Sequence, residues 1–156
     1  MGLLTDIFFV KAIKSNEWLI NVLPKGNVYN NVADPDFDMQ NVPLPYVIVN
    51  NDGGENLVAT KDDEFEGQED RVTISIRMVA RSREELAEMA VQVRRTIVEY
   101  TRAAQQRIEA GEAVDGDQYA PYQYTMRFSD ISFDMEKPSH SQMFYYDCLT
   151  PTENEA

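Results

Sequence analysis

Residues 72–93 read VTISIRMVARSREELAEMAVQV, and this stretch decides the fold. Its first nine residues put Val72, Ile74, Ile76, Met78 and Ala80 on one side, with Thr73, Ser75 and Arg77 on the other. That is the period of a strand with one buried and one mostly wet face. Ser82 and Glu85 then form a capping box, in which the serine oxygen takes a free amide at a helix start and the glutamate answers to the serine amide. Leu86, Met89, Ala90, Val93, Ile97, Tyr100, Ala104 and Ile108 recur at spacings of three or four until Gly111 supplies a C-terminal stop. A strand therefore runs straight into a helix of about seven turns. Burying its large side chains at roughly 1.5–3 kcal/mol each makes that helix a main contributor to the core.

Upstream, Leu3 to Leu23 reads as a helix broken near Ser15-Asn16 and stopped by Pro24 and Gly26. Leu4, Ile7, Phe8 and Ala12 line one face, but Phe9, Val10 and Ile13 put apolar groups on another, too many for a helix with one wet side. Two readings stand: a helix buried between layers, or one that also packs on a second subunit. Residues 24–43 carry prolines, asparagines and acids without a sustained period and read as an irregular arm. Leu44 to Asn50 (LPYVIVN) is β-branched and aromatic on both parities, as in a central strand covered on both faces. Residues 51–70 then turn polar and read as a long acidic loop, with eight acids against Lys61 alone.

Downstream, residues 112–121 form an acidic turn region, and Tyr124, Met126 and Phe128 alternate with Thr125, Arg127 and Ser129. The apolar set then changes parity to Ile131, Phe133 and Met135. A bulge or bend at Ser129-Asp130 keeps one sheet face apolar across that change. Glu136 to Ser141 makes a hairpin loop, Gln142 to Leu149 (QMFYYDCL) returns as the last strand, and residues 150–156 read as a frayed tail. The expected architecture is a single α+β domain over residues 1–156: a four-stranded, mostly antiparallel sheet with two helices packed on one face, in the order α-β-β-α-β-β, plus extended arms.

Composition narrows the function. The chain has 156 residues, 43% of them hydrophobic, which suits one domain with a proper core. A formal charge of −13 repels phosphate backbones and anionic membrane surfaces alike, so tight nucleic-acid binding is not expected. The early apolar run Ile7 to Val10 is too short to span a bilayer, and Asp6 stands where a signal peptide carries bases, so a soluble, unprocessed protein is expected. The lone Cys148 reads as a small packed side chain in a reducing compartment. His140 lies in a Pro-Ser-His-Ser loop and reads as solvated. With one histidine and one cysteine, no zinc site of usual composition assembles within the chain. Asp62, Glu64, Glu66 and Gly67 match the first, third, fifth and sixth positions of an EF-hand loop, but the twelfth falls on Thr73 inside the best strand, and the match fails. No dinucleotide, P-loop or nucleophile-elbow motif is present. The expectation is no enzyme, no cofactor, no catalytic residues and no metal.

The two long irregular stretches point to contacts with other molecules. Phe8-Phe9 and Phe144-Tyr145-Tyr146 cover both faces of their elements, which fits either a doubly covered core or a buried subunit surface.

The apolar N-terminal helix, the Pro-rich approach Val42-Pro43-Leu44-Pro45-Tyr46-Val47-Ile48-Val49, the strand entering a helix through Ala80-Arg81-Ser82-Arg83-Glu84-Glu85, and the closing strands joined through Lys137-Pro138 together resemble the tail terminator (tail completion, minor tail) proteins of long-tailed bacteriophages. The resemblance covers about residues 3–149 and rests on the pattern of elements, with no single diagnostic motif. It implies a virion subunit, assembled in the host cytoplasm, that forms a hexameric ring on the head-proximal end of the tail tube and presents a surface to the head connector. Phe8, Phe9, Ile13, Trp18, Tyr29, Phe37, Phe144 and Tyr146 are then candidate subunit or tube contacts. Asp62, Asp63, Glu64, Glu66, Glu69 and Asp70 are candidates for an acidic lumen or partner loop past which DNA slides without sticking. Another head-tail joining or neck protein obeys the same logic. A third reading, from a different class, is an acidic DNA mimic that inhibits a nucleic-acid-binding host protein.

Overall fold

The computed structural model describes residues 4–30, 41–57 and 69–151. Among the described residues there are three α-helices and six strands: α1 (Thr5–Lys14), α2 (Glu17–Val22), β1 (Tyr29–Asn30), β2 (Tyr46–Leu57), β3 (Glu69–Ala80), α3 (Arg83–Glu109), β4 (Gln123–Phe128), β5 (Ser132–Asp134) and β6 (Ser139–Pro151). The sheet order is β1-β2-β3-β6-β4, with β5 also paired to β6. All pairings are antiparallel except β1 with β2, which makes the sheet mixed.

This corrects the expected four strands and two helices in the order α-β-β-α-β-β. The N-terminal helix is two helices, because the Asn16 side chain accepts the Leu19 amide at 3.0 Å and caps a new start. Tyr29 and Asn30, inside the stretch read as an arm, pair in parallel with Ile48 and Val49. The strand expected after the acidic turn is split into β4 and β5. Strands β2 and β3 also run on into the segment read as acidic loop, pairing Asn51 with Ile74 and then Gly54 with Val72. Two residues on β2 there, Asp52 and Gly53, stand opposite the single Thr73 on β3, so β2 carries a bulge.

The strand-to-helix passage forms as its residues dictate. Val72, Ile74, Ile76, Met78 and Ala80 all face the core. The Ser82 hydroxyl accepts the Glu85 amide at 3.1 Å, while the Glu85 carboxylate accepts the Arg81 amide at 3.0 Å, one residue earlier than a capping box requires. Leu86, Met89, Val93, Ile97 and Ala104 of α3 lie over the sheet. At the other end Gly111 sits at φ 72, and Glu112 donates its amide to the Arg107 carbonyl at 2.8 Å, closing the helix with a left-handed residue.

Helix α1 is apolar on two sides because it has two neighbours. Phe8 stacks edge-on against Tyr100 of α3 at 5.1 Å, and Phe9 meets Tyr146 of β6 at 5.2 Å. Thr96 of α3 donates its hydroxyl to the Ala12 carbonyl at 3.0 Å, locking the two helices together. The opposite sheet face holds a smaller cluster of Tyr29, Val42, Tyr46, Ile48 and Val79. Lys137 reaches across from the turn before β6 to donate to the Val42 carbonyl at 2.7 Å.

Past α3, Arg107 grips Asp117 through two hydrogen bonds of 2.8 Å, and Asp117 also accepts the Val114 amide at 2.9 Å. The guanidinium holds the Asp117 carboxyl below the ordinary carboxylate range. Its contribution to stability is therefore complete above the unfolded carboxylate value and is lost as pH falls through the lower folded value. Asp6 works in the opposite sense, since burial raises its carboxyl, and its contribution is lost as pH rises through that raised value. Comparison of the wild type with Asp117→Asn isolates the first effect. The stability advantage of the wild type in urea titrations is expected to shrink below about pH 4, and a gap that stays constant there would refute the assignment.

Candidate interaction surface

The register of β6 shows how the far sheet edge is built. Phe128 of β4 faces Phe144, and Ser132 of β5 faces Ser141, so four steps on one side match three on β6. The extra residue lies between Ser129 and Ile131, where the parity change of the sequence put it. Ser129 pins the bulge by donating its amide to the Met143 carbonyl at 2.9 Å and accepting the Met143 amide on its hydroxyl at 3.0 Å. Gln142 adds a bond to the Ser129 carbonyl at 3.0 Å.

The bulge keeps Phe128 and Phe133 on one face of the sheet, opposite Phe144 and His140 respectively. That face is the one the helices cover further in, over Tyr146 and Cys148. Near the edge the cover ends, leaving Phe128 62%, Ile131 42%, Phe133 55% and Met135 82% exposed. Phe133 packs only partly, with its ring 4.9 Å from His140. Single exposed apolar residues are ordinary, but four within eight positions beside a sheet edge form a patch of the kind that binds another protein. No described strand pairs with the outer edge of β4.

The residues expected to form a subunit or tube interface lie elsewhere. Phe8, Phe9, Ile13, Phe144 and Tyr146 are buried in the subunit's own core, and Tyr29 is buried in the smaller cluster. Within the subunit, α1 is covered by α3 on one side and by the sheet on the other. Trp18 is partly buried against the core beside the α1–α2 junction, and Phe37 lies outside the described residues. Of the acidic candidates, Asp62, Asp63, Glu64 and Glu66 lie outside the described residues. Glu69 and Asp70 open β3; Glu69 bonds to Tyr122, and Asp70 is buried. They are therefore strand residues, set by pairing with Pro151 and Thr150.

Beyond the cluster of Tyr29, Val42, Tyr46, Ile48 and Val79, the sheet face without helices carries polar pairs. Thr73 donates to Asp147 at 2.7 Å, Arg127 bonds the same carboxylate at 3.3 Å and lies 4.5 Å over the Tyr145 ring, and Ser75 donates to Asp52 at 3.2 Å. Cys148 is fully buried, and burial pushes its thiol up to about 12, which keeps it protonated and inert at neutral pH. Among the described residues no three His, Cys, Asp or Glu side chains come together as a metal site. No helix among them is long and apolar enough to cross a membrane.

The sequence carried one signal for the exposed patch, the alternation through Ile131, Phe133 and Met135. It marks an apolar face without marking whether a helix covers it. No family model matches the chain, and no curated protein matches it in sequence.

Proposed function

We propose that the chain is a self-assembling structural subunit of a phage tail end, closing with other copies into a hexameric ring between tail tube protein and head connector. The observation that carries this reading is the exposed run Phe128, Ile131, Phe133 and Met135 beside an open sheet edge. An edge with that much apolar surface is a liability in a free monomer and an asset in an assembly. The pattern resemblance to tail terminators supplies the concrete form. Another neck or joining protein shares the ring logic and differs only in its neighbours. A DNA mimic fits less well, because exposed Glu84, Glu88 and Glu99 of α3 share that helix with exposed Arg94, Arg95 and Arg102, whereas a mimic spreads carboxylates along one rigid face.

Sedimentation velocity with negative-stain imaging, on the chain alone and mixed with tail tube protein, tests the reading. Rings of about six copies are expected, lost in Phe128→Glu/Phe133→Glu while the circular dichroism spectrum stays native. A strict monomer under both conditions sinks it. Rings that bind connector or baseplate protein but never the tube would move the subunit to a different position in the virion.

A further inference from the structure

Next to the apolar edge, the flank of α3 that faces β4 has an unusual composition for so acidic a chain. Val91, Arg94, Val98, Arg102 and Gln105 follow one another at steps of three or four and so share one side of the helix. Val98, Arg102 and Gln105 line a groove of about 300 Å³ with Tyr122, Gln123 and Tyr124. Gln105 donates to the Pro121 carbonyl at 2.9 Å, which fixes one wall of the groove. Thr101, which also lines it, is buried with its hydroxyl oxygen unbonded. Val91, Val98 and Tyr122 are all exposed. Glu69 touches the β4 side of the groove through Tyr122, whereas the α3 side contains no carboxylate, and Arg94 and Arg102 form no ion pair with a described residue.

Because this strip is apolar and cationic within a chain of charge −13, the surface that fits it is apolar and acidic, and a second copy of this chain offers exposed acids away from the strip, at Glu109, Glu112 and Asp115 past the end of α3 and at Asp130, Asp134 and Glu136 around β5. The strip does not suit a twofold contact with itself, since that would set arginine against arginine. From this charge pattern we infer that the α3–β4 flank of one copy receives a different, acidic surface of the next, a head-to-tail contact that closes into a ring or runs into a filament. This deepens the assembly reading above and depends on it.

The test is sedimentation of the full chain over a range of concentration and salt. Association is expected to weaken as salt rises, because screening removes an attraction; a contact of like patches would strengthen instead. Arg94→Glu/Arg102→Glu is expected to weaken association at least about tenfold, and Arg94→Lys/Arg102→Lys to keep most of it, with thermal melts confirming that both variants fold. Association by the wild type that is indifferent to the charge reversal overturns the head-to-tail flank and leaves the assembly reading standing. A wild type that never associates overturns both. Removal of residues 152–156 is expected to change nothing; stronger association after that removal would mean that the chain's own acidic end covers the strip, and would also overturn the inference.

Discussion

Phe9→Ala is expected to cost about 3–5 kcal/mol of folding stability, read as a lower midpoint in urea with an unchanged slope. Phe9 is wholly buried, with its ring against Tyr146 on one side and Phe8 on the other. Truncation removes the transfer free energy of the ring and leaves a cavity that α1, held to α3 through Thr96, is poorly placed to close. The result decides between the two roles an apolar two-sided helix can have. A residue that served only a subunit contact would leave the monomer's stability unchanged and lower association. If Phe9→Ala changes stability by less than about 1 kcal/mol, the placement of α1 between α3 and the sheet is wrong.

Gly54→Ala is the second large effect. A methyl group there would lie 1.8 Å from the carbonyl oxygen of Arg71, backbone against backbone on the paired strand. No side-chain movement relieves such a clash, so the β2–β3 pairing has to open or shift, at an expected cost of about 3 kcal/mol. Gly53 is the matched control. It sits at φ 88 with nothing within 4 Å of its missing Cβ, so Gly53→Ala meets only the strain of a left-handed backbone, about 1–2 kcal/mol. Denaturation of the two variants side by side is the measurement, and equal losses would show that the bulge does not bring the strands together as described.

These two sites show where sequence and structure divide the information. The strand at 72–80 and the helix after it were legible because each is long and its pattern is local: the period of two, the Ser82 cap, the 3.6-residue stripe and Gly111 need no distant partner to be recognised. The bulge near Ser129 was legible for the same reason, since a parity change in one strand implies one extra residue. The Tyr29–Asn30 strand was not, because two residues have no period and become a strand only when Ile48 and Val49 lie alongside them. Nor was the run of β2 through Asn51, Asp52, Gly53 and Gly54. Those residue types favour a turn, and it is cross-strand pairing with β3, itself held by β6 on its other side, that keeps them extended.

The site was harder to read than the fold. A two-sided apolar element such as the Phe8-Phe9 pair of α1 carries the same residues whether its second face meets a partner or a neighbouring helix. Only the position of α3 above the sheet decided for the core. The converse holds at the edge: Phe128 and Phe133 look like interior residues in sequence, and they are exposed because the helical layer ends before the sheet does. By itself the sequence determined the acidity of the chain, its strand at 72–80, its long capped helix and the bulge near Ser129. The tertiary structure alone decided which apolar faces are spent inside the subunit and which remain open, because burial depends on what lies opposite a side chain and not on the side chain itself.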